Sequence, residues 1–67
     1  MSIIIENSQS EYLTAAGKWS KDANQGKSYK SKWAAITAGN GDGLSGFNVV
    51  LFFPLTNQIV NLDHIGA

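Results

Sequence analysis

Residues Phe47–Leu55, FNVVLFFPL, form the longest apolar run in a chain of 67 residues, and their reading decides the fold. In an extended chain Val49, Leu51 and Phe53 point one way, and Val50 and Phe52 the other. Apolar side chains on both faces mark a central strand, or one whose second face meets another chain. Pro54 brings no amide hydrogen and stands where the strand must end or become an edge. The run is far below the ~20 residues that span a bilayer, so no membrane partner is expected.

Working outward, the preceding GNGDGLSG (Gly39–Gly46) is half glycine and cannot hold regular structure. Before it, Ser31 is placed to cap a helix that opens at Lys32 and runs through KWAAITA to a stop at Gly39. Trp33 and Ile36 share a face at i, i+3, with Ala34 and Ala38 close by. Such a helix, about eight residues long, needs a sheet to pack on. Beyond Pro54, LTN turns the chain and QIVNLDHI returns as a last strand with Val60 and Leu62 on one face, or closes as a short helix.

At the start, Ser2–Glu6 is a β-branched run that favours a strand. NSQS (7–10) is a turn, and EYLT and KWS flank Ala15-Ala16-Gly17 as the arms of a hairpin. KDANQGK follows as a polar loop or second turn in which Gly26 gives a permissive backbone. No internal repeat is visible. The expected fold is α+β: a small antiparallel sheet of about four strands with one short helix packed on one face, residues 1–67 forming one small domain.

A chain this short buries only ~60% of the surface its unfolded form exposes. Small domains offset that with disulfides, metals or oligomerisation, and with no cysteine the first of these is closed. MSIIIENSQSE carries neither the basic flank nor the apolar stretch of a secretory signal. A soluble cytoplasmic protein is expected.

Catalytic and metal chemistry find little to work with. Gly41, Gly43 and Gly46 spell G-x-G-x-x-G, but a dinucleotide cradle needs a strand before the motif and a helix after it. The order here is the reverse. Asn40 and Asp42 fall short of a calcium loop, which needs more oxygen ligands and a closing glutamate. His64 is the single histidine; on a strand its neighbour Asp63 points to the other face, and a zinc site needs several further ligands. Glu6 and Glu11 are separated by a turn, with nothing to raise a pKa for acid–base work. No cofactor, metal or catalytic residue is assigned, and a non-enzymatic protein is expected.

Net charge is zero, yet the charges are segregated. Lys18, Lys21, Lys27, Lys30 and Lys32 oppose only Asp22, giving +4 between Gly17 and Trp33, and Glu6, Glu11, Asp42 and Asp63 give −4 elsewhere. A charge dipole of this kind steers a charged partner without raising the pI. Tyr12, Trp19, Tyr29 and Trp33 interleave with the lysines, a mixture that suits single-stranded nucleic acid: rings stack on bases and lysines neutralise phosphates. Against that use stands the complete lack of arginine, whose fork dominates base and phosphate recognition. A core this small also needs large residues. The expectation is therefore that Trp19 and Trp33 anchor the core between hairpin and helix while the lysines solvate the outside. Lys18, Trp19, Lys21, Lys27, Tyr29, Lys30 and Lys32 are the candidate partner-binding residues.

The stretch Glu11–Gly39 resembles a pattern found in small uncharacterised phage and prophage proteins. The positions that carry it are Tyr12, Leu13, Thr14, Gly17, Lys18, Trp19, Asp22, Tyr29, Ser31 and Ala34, under half of the chain. The resemblance implies a hairpin, a polar link and a capped helix, and transfers no catalytic residue. It also implies a host-directed accessory protein, acting in the host cytoplasm, that binds and inhibits a host defence or regulatory protein. Single-stranded nucleic-acid binding through residues 12–33 is the alternative. The two-faced apolar strand adds a further expectation, a homodimer through Phe47–Phe53. A third reading has the glycine-rich stretch as a lid over a small-molecule pocket, though no residue selects it.

Overall fold

The computed structural model describes residues 1–41, 43 and 46–62. The readings made of Asp42, Asp63 and His64 lie outside the described residues. The fold is α+β, with a five-stranded antiparallel sheet and one helix against it. The strands are β1 (Ser2–Glu6), β2 (Tyr12–Leu13), β3 (Trp19–Ser20), β4 (Asn48–Phe53) and β5 (Gln58–Asn61), and the helix is α1 (Lys32–Gly41). Across the sheet the order is β3-β2-β1-β4-β5. The sheet has one strand more than expected because Gln58–Asn61 does return alongside β4, as the extended reading of QIVN requires.

β4 is central, as its two apolar faces demand. It pairs with β1 from Ser2↔Phe52 to Glu6↔Asn48 and with β5 from Val50↔Asn61 to Phe53↔Gln58. Val49, Val50 and Phe52 are buried within one copy.

The sheet is covered on both sides. On one face Ile5, Leu13 and Val49 meet Ala35 of the helix, joined by Ile3, Trp19, Tyr29, Ile36, Phe47 and Leu62. On the other, Ile4, Tyr12, Val50 and Phe52 pack together with Ala23. Ala23 belongs to a 3-10 turn, Ala23–Gln25, inside the polar link. Asp22 caps that turn, its carboxylate accepting from the Asn24 amide at 2.9 Å. The link thus acts as a second, minimal layer. Gly26 lies so close to Ile4 that a Cβ there would stand 3.2 Å from two of its methyl carbons.

The link is also stitched into the sheet. Lys27 donates its amide to the Leu13 carbonyl at 2.8 Å, and Tyr29 donates to Ile3 at 2.8 Å. The β1–β2 ladder pairs only at Glu6↔Tyr12, so the link supplies partners for backbone that the short β2 cannot reach. Glu6 also meets the Tyr12 hydroxyl. Burial, and then that carboxylate, push the phenol up to about 12, because both disfavour a second negative charge at this site.

Local signals explain the turns. Asn7 Oδ1 accepts from the amides of Gln9 and Glu11, both at 2.9 Å, and so folds the β1–β2 connection. Gly17, at φ +79°, closes the β2–β3 hairpin with its amide on the Thr14 carbonyl at 3.0 Å. In the β4–β5 turn Pro54 follows Phe53, whose carbonyl accepts from Thr56 at 3.2 Å, and Asn57 takes the left-handed conformation that asparagine tolerates.

Ser31 caps α1 as expected, its hydroxyl accepting from the Ala34 amide at 3.1 Å. Two expectations for the helix fail. It continues through Gly39 to Gly41, and Gly39 is buried, with the Phe47 ring seated where its side chain would be. The core-facing stripe runs Lys32, Ala35, Ile36, Gly39, at spacing i, i+3, i+4, i+7. That phase leaves Trp33, Thr37 and Asn40 facing solvent. Trp33 is 73% exposed and is not a core anchor. Small residues, not an indole, let the helix lie on the sheet.

Candidate interaction surface

The surface is built by the hairpin, the link and the start of the helix. The β2–β3 register places Trp19 opposite Leu13, and its half-buried ring packs on the helix-side core. Lys18 and Lys21 flank it along the sheet's β3 edge, both exposed. Here the expectation of a structural indole with solvated lysines beside it describes the molecule.

Tyr29 packs on the same core cluster, held by its amide bond to β1. Lys27 lies over its ring, the ammonium 5.4 Å from the centroid, within reach of a cation–π contact. Lys30 is exposed and Lys32 half-buried. The structure therefore gathers Lys27, Tyr29, Lys30 and Lys32 around the N-terminal end of α1. Lys18, Trp19 and Lys21 sit at the neighbouring sheet edge.

Trp33, placed in the core by sequence reasoning, is exposed in the first turn of α1, directly after Lys32 in the chain. A signal for it existed. Taking Ala35 and Gly39 as the contact stripe, because small residues permit close helix–sheet approach, puts Trp33 on the opposite side.

The first turn of α1 contains no acidic residue, although the helix dipole favours one there. Lys30, exposed, stands just before that turn.

Elsewhere the polar inventory is sparse. Among the described residues no group of three histidine, aspartate or glutamate side chains comes together as a metal site. The G-x-G-x-x-G keeps its reversed order, with α1 before and β4 after. An open apolar recess of about 480 Å³ is lined by Met1, Phe53, Pro54, Leu55, Thr56 and Gln58. It lies at the β4–β5 turn. No described helix is long and apolar enough to cross a membrane.

Fold and surface together define a small α+β domain that presents one exposed indole within a lysine-rich end. The chain matches no protein-family model, no curated protein and no solved structure.

Proposed function

We propose that the protein is a non-enzymatic interaction module that binds a partner protein through the surface centred on Trp33 and blocks what that partner does. The observation that carries this reading is the 73% exposure of Trp33 in the first turn of α1, where Lys30 and Lys32 lie close to it in the chain. An exposed indole is a liability that a 67-residue domain has little reason to keep. Tryptophan is among the residues that dominate binding energy at protein interfaces. Lysines around it speed encounter with an acidic surface and fix its orientation. The resemblance to small phage proteins supplies the kind of partner, a host defence or regulatory protein with an acidic patch beside an apolar slot.

The exposure of Trp33 also favours a second reading, single-stranded nucleic acid stacked on the indole. Only one of the two tryptophans is available for stacking, since Trp19 packs on the core, and the chain has no arginine. The protein reading therefore stands first.

Affinity capture from host lysate, with and without nuclease, tests both. The wild-type chain is expected to retain a protein after nuclease treatment. Trp33→Ala, which removes no core contact, is expected to keep the fold and lose that protein by about thirtyfold or more, the ~2 kcal/mol or more of an interface hot spot. Capture that disappears with nuclease, together with salt-sensitive quenching of tryptophan emission by an oligonucleotide, would transfer the assignment to nucleic acid. Equal capture by wild type and Trp33→Ala would remove the surface from consideration altogether.

A further inference from the structure

We infer that Asn40 is a site of spontaneous self-modification: the Gly41 amide closes on its side chain, and the residue passes through a cyclic imide to aspartate and isoaspartate. The chain has six asparagines, and only Asn40 precedes a glycine. Ring closure turns the backbone nitrogen of the next residue toward the carboxamide, and a residue without Cβ obstructs that turn least. The structure separates Asn40 from the others in the same sense. Asn7 is held at both ends of its carboxamide, Oδ1 accepting from the amides of Gln9 and Glu11 and Nδ2 donating to Glu11 at 3.0 Å. Asn24 donates from Nδ2 to Asp22 at 3.2 Å. Asn48 and Asn61 lie in β4 and β5, and Asn57 is followed by Gln58. Asn40 is exposed, and Gly41 is the last residue of α1.

Place in the helix decides whether the attack is open. In a helix interior the amide after an asparagine is bonded to the carbonyl four residues back and is turned away from the side chain. At the final residue that bond belongs to the end that frays, where local opening costs least. Gly43, at φ +74°, sets its amide on the Asn40 carbonyl at 3.1 Å and marks the turn in which the helix stops. A Cβ on Gly41 would meet nothing within 4 Å, so among the described residues nothing crowds the rotation that closes the ring.

Water is the one co-reactant. The Gly41 nitrogen gives up its proton and bonds to Cγ of Asn40, the Cγ–Nδ2 bond breaks, and Nδ2 leaves with that proton as ammonia. Water then opens the ring. Opening between nitrogen and Cγ leaves aspartate; opening between nitrogen and the Asn40 carbonyl carbon leaves isoaspartate, with the main chain running through Cγ. Nothing is oxidised or reduced. Either product puts a carboxylate on the last turn of α1, where the helix dipole disfavours it, and takes the net charge from zero to −1. Isoaspartate also lengthens the main chain by one carbon beside Gly39, on which the Phe47 ring is seated. The modification therefore loosens the C-terminal end of the helix and leaves the Trp33 end in place.

The full chain, aged folded under mildly alkaline conditions beside an acidic control, provides the test. Lys32 is the last basic residue apart from His64, so trypsin releases residues 33–67 as one peptide, and fragment masses locate the change. Asn40 is expected to convert several-fold faster than any other asparagine, and faster in alkali than in acid. Gly41→Ala meets no obstacle and favours the helix, so it is expected to fold and to slow the conversion several-fold. Asn40→Asp carries the product's charge and is expected to melt below wild type. The proposal is overturned if Asn40 stays intact in the folded chain while it converts in urea, if another asparagine leads, or if Gly41→Ala converts as fast as wild type. An Asn40→Asp protein that melts with wild type overturns the stated effect on the helix.

Discussion

Gly39→Ala is expected to destabilise the protein by about 1–3 kcal/mol, the usual range for forcing an extra methyl into a packed site. Helix propensity alone argues the opposite, since alanine is favoured over glycine inside a helix by about 1 kcal/mol. The sign is set by Phe47. A Cβ at position 39 would lie 2.5 Å from Cζ of that ring and 2.9 Å from both Cε atoms. No carbon tolerates such a distance, so either the helix lifts or the ring turns out of the core. In a domain of this size each kcal/mol lowers the melting temperature by about 4–8 °C, so thermal denaturation reads the effect easily. Phe47→Leu in the same chain should recover part of the loss, because it removes the atoms that clash. A Gly39→Ala protein more stable than wild type would show that the helix does not rest on that ring.

Ile4→Ala carries the largest expected loss, about 2–5 kcal/mol for removal of a buried branched side chain. A 67-residue domain has only about 3–10 kcal/mol in total, so the variant is expected to be largely unfolded at physiological temperature. Ile4 is fully buried, yet it faces away from the helix. Its cover is the link, through Ala23 and Gly26. The effect thus tests whether the polar stretch 22–29 is a structural layer or a loose connection. Urea denaturation of Ile4→Ala beside Leu55→Ala makes the comparison, because Leu55 is 99% exposed and its truncation should stay within about 0.5 kcal/mol. Were Ile4→Ala as mild as Leu55→Ala, the second face would have to be open.

The contrast between these sites explains what the sequence made legible. β4 could be read because alternation on both faces leaves a strand nowhere but the interior. The hairpin at Gly17, the cap at Ser31 and the turn at Pro54 were legible because each rests on local backbone chemistry. The helix phase was not. Ten residues hold fewer than three turns, and Trp33 outweighed Ala35 and Gly39 by size, although close packing on a sheet selects small side chains. The link was hidden by composition: in KDANQGK the core contacts come from Ala23 and Gly26, which look like spacers among polar residues. At the candidate surface, residues 18–32 were named from charge and aromatic content. The residue at its centre was missed because its size argued for burial.

Trp33 is also the reporter on which the account rests most directly. In a Trp19→Phe chain, Trp33 emission reads its surroundings alone. Acrylamide quenching before and after addition of the captured partner is the decisive measurement. Emission should be solvent-like and fully quenchable in the free protein, then shift to shorter wavelength and become protected in the complex. An indole already shielded in the free protein, or one still open to acrylamide when the partner is bound, would contradict it.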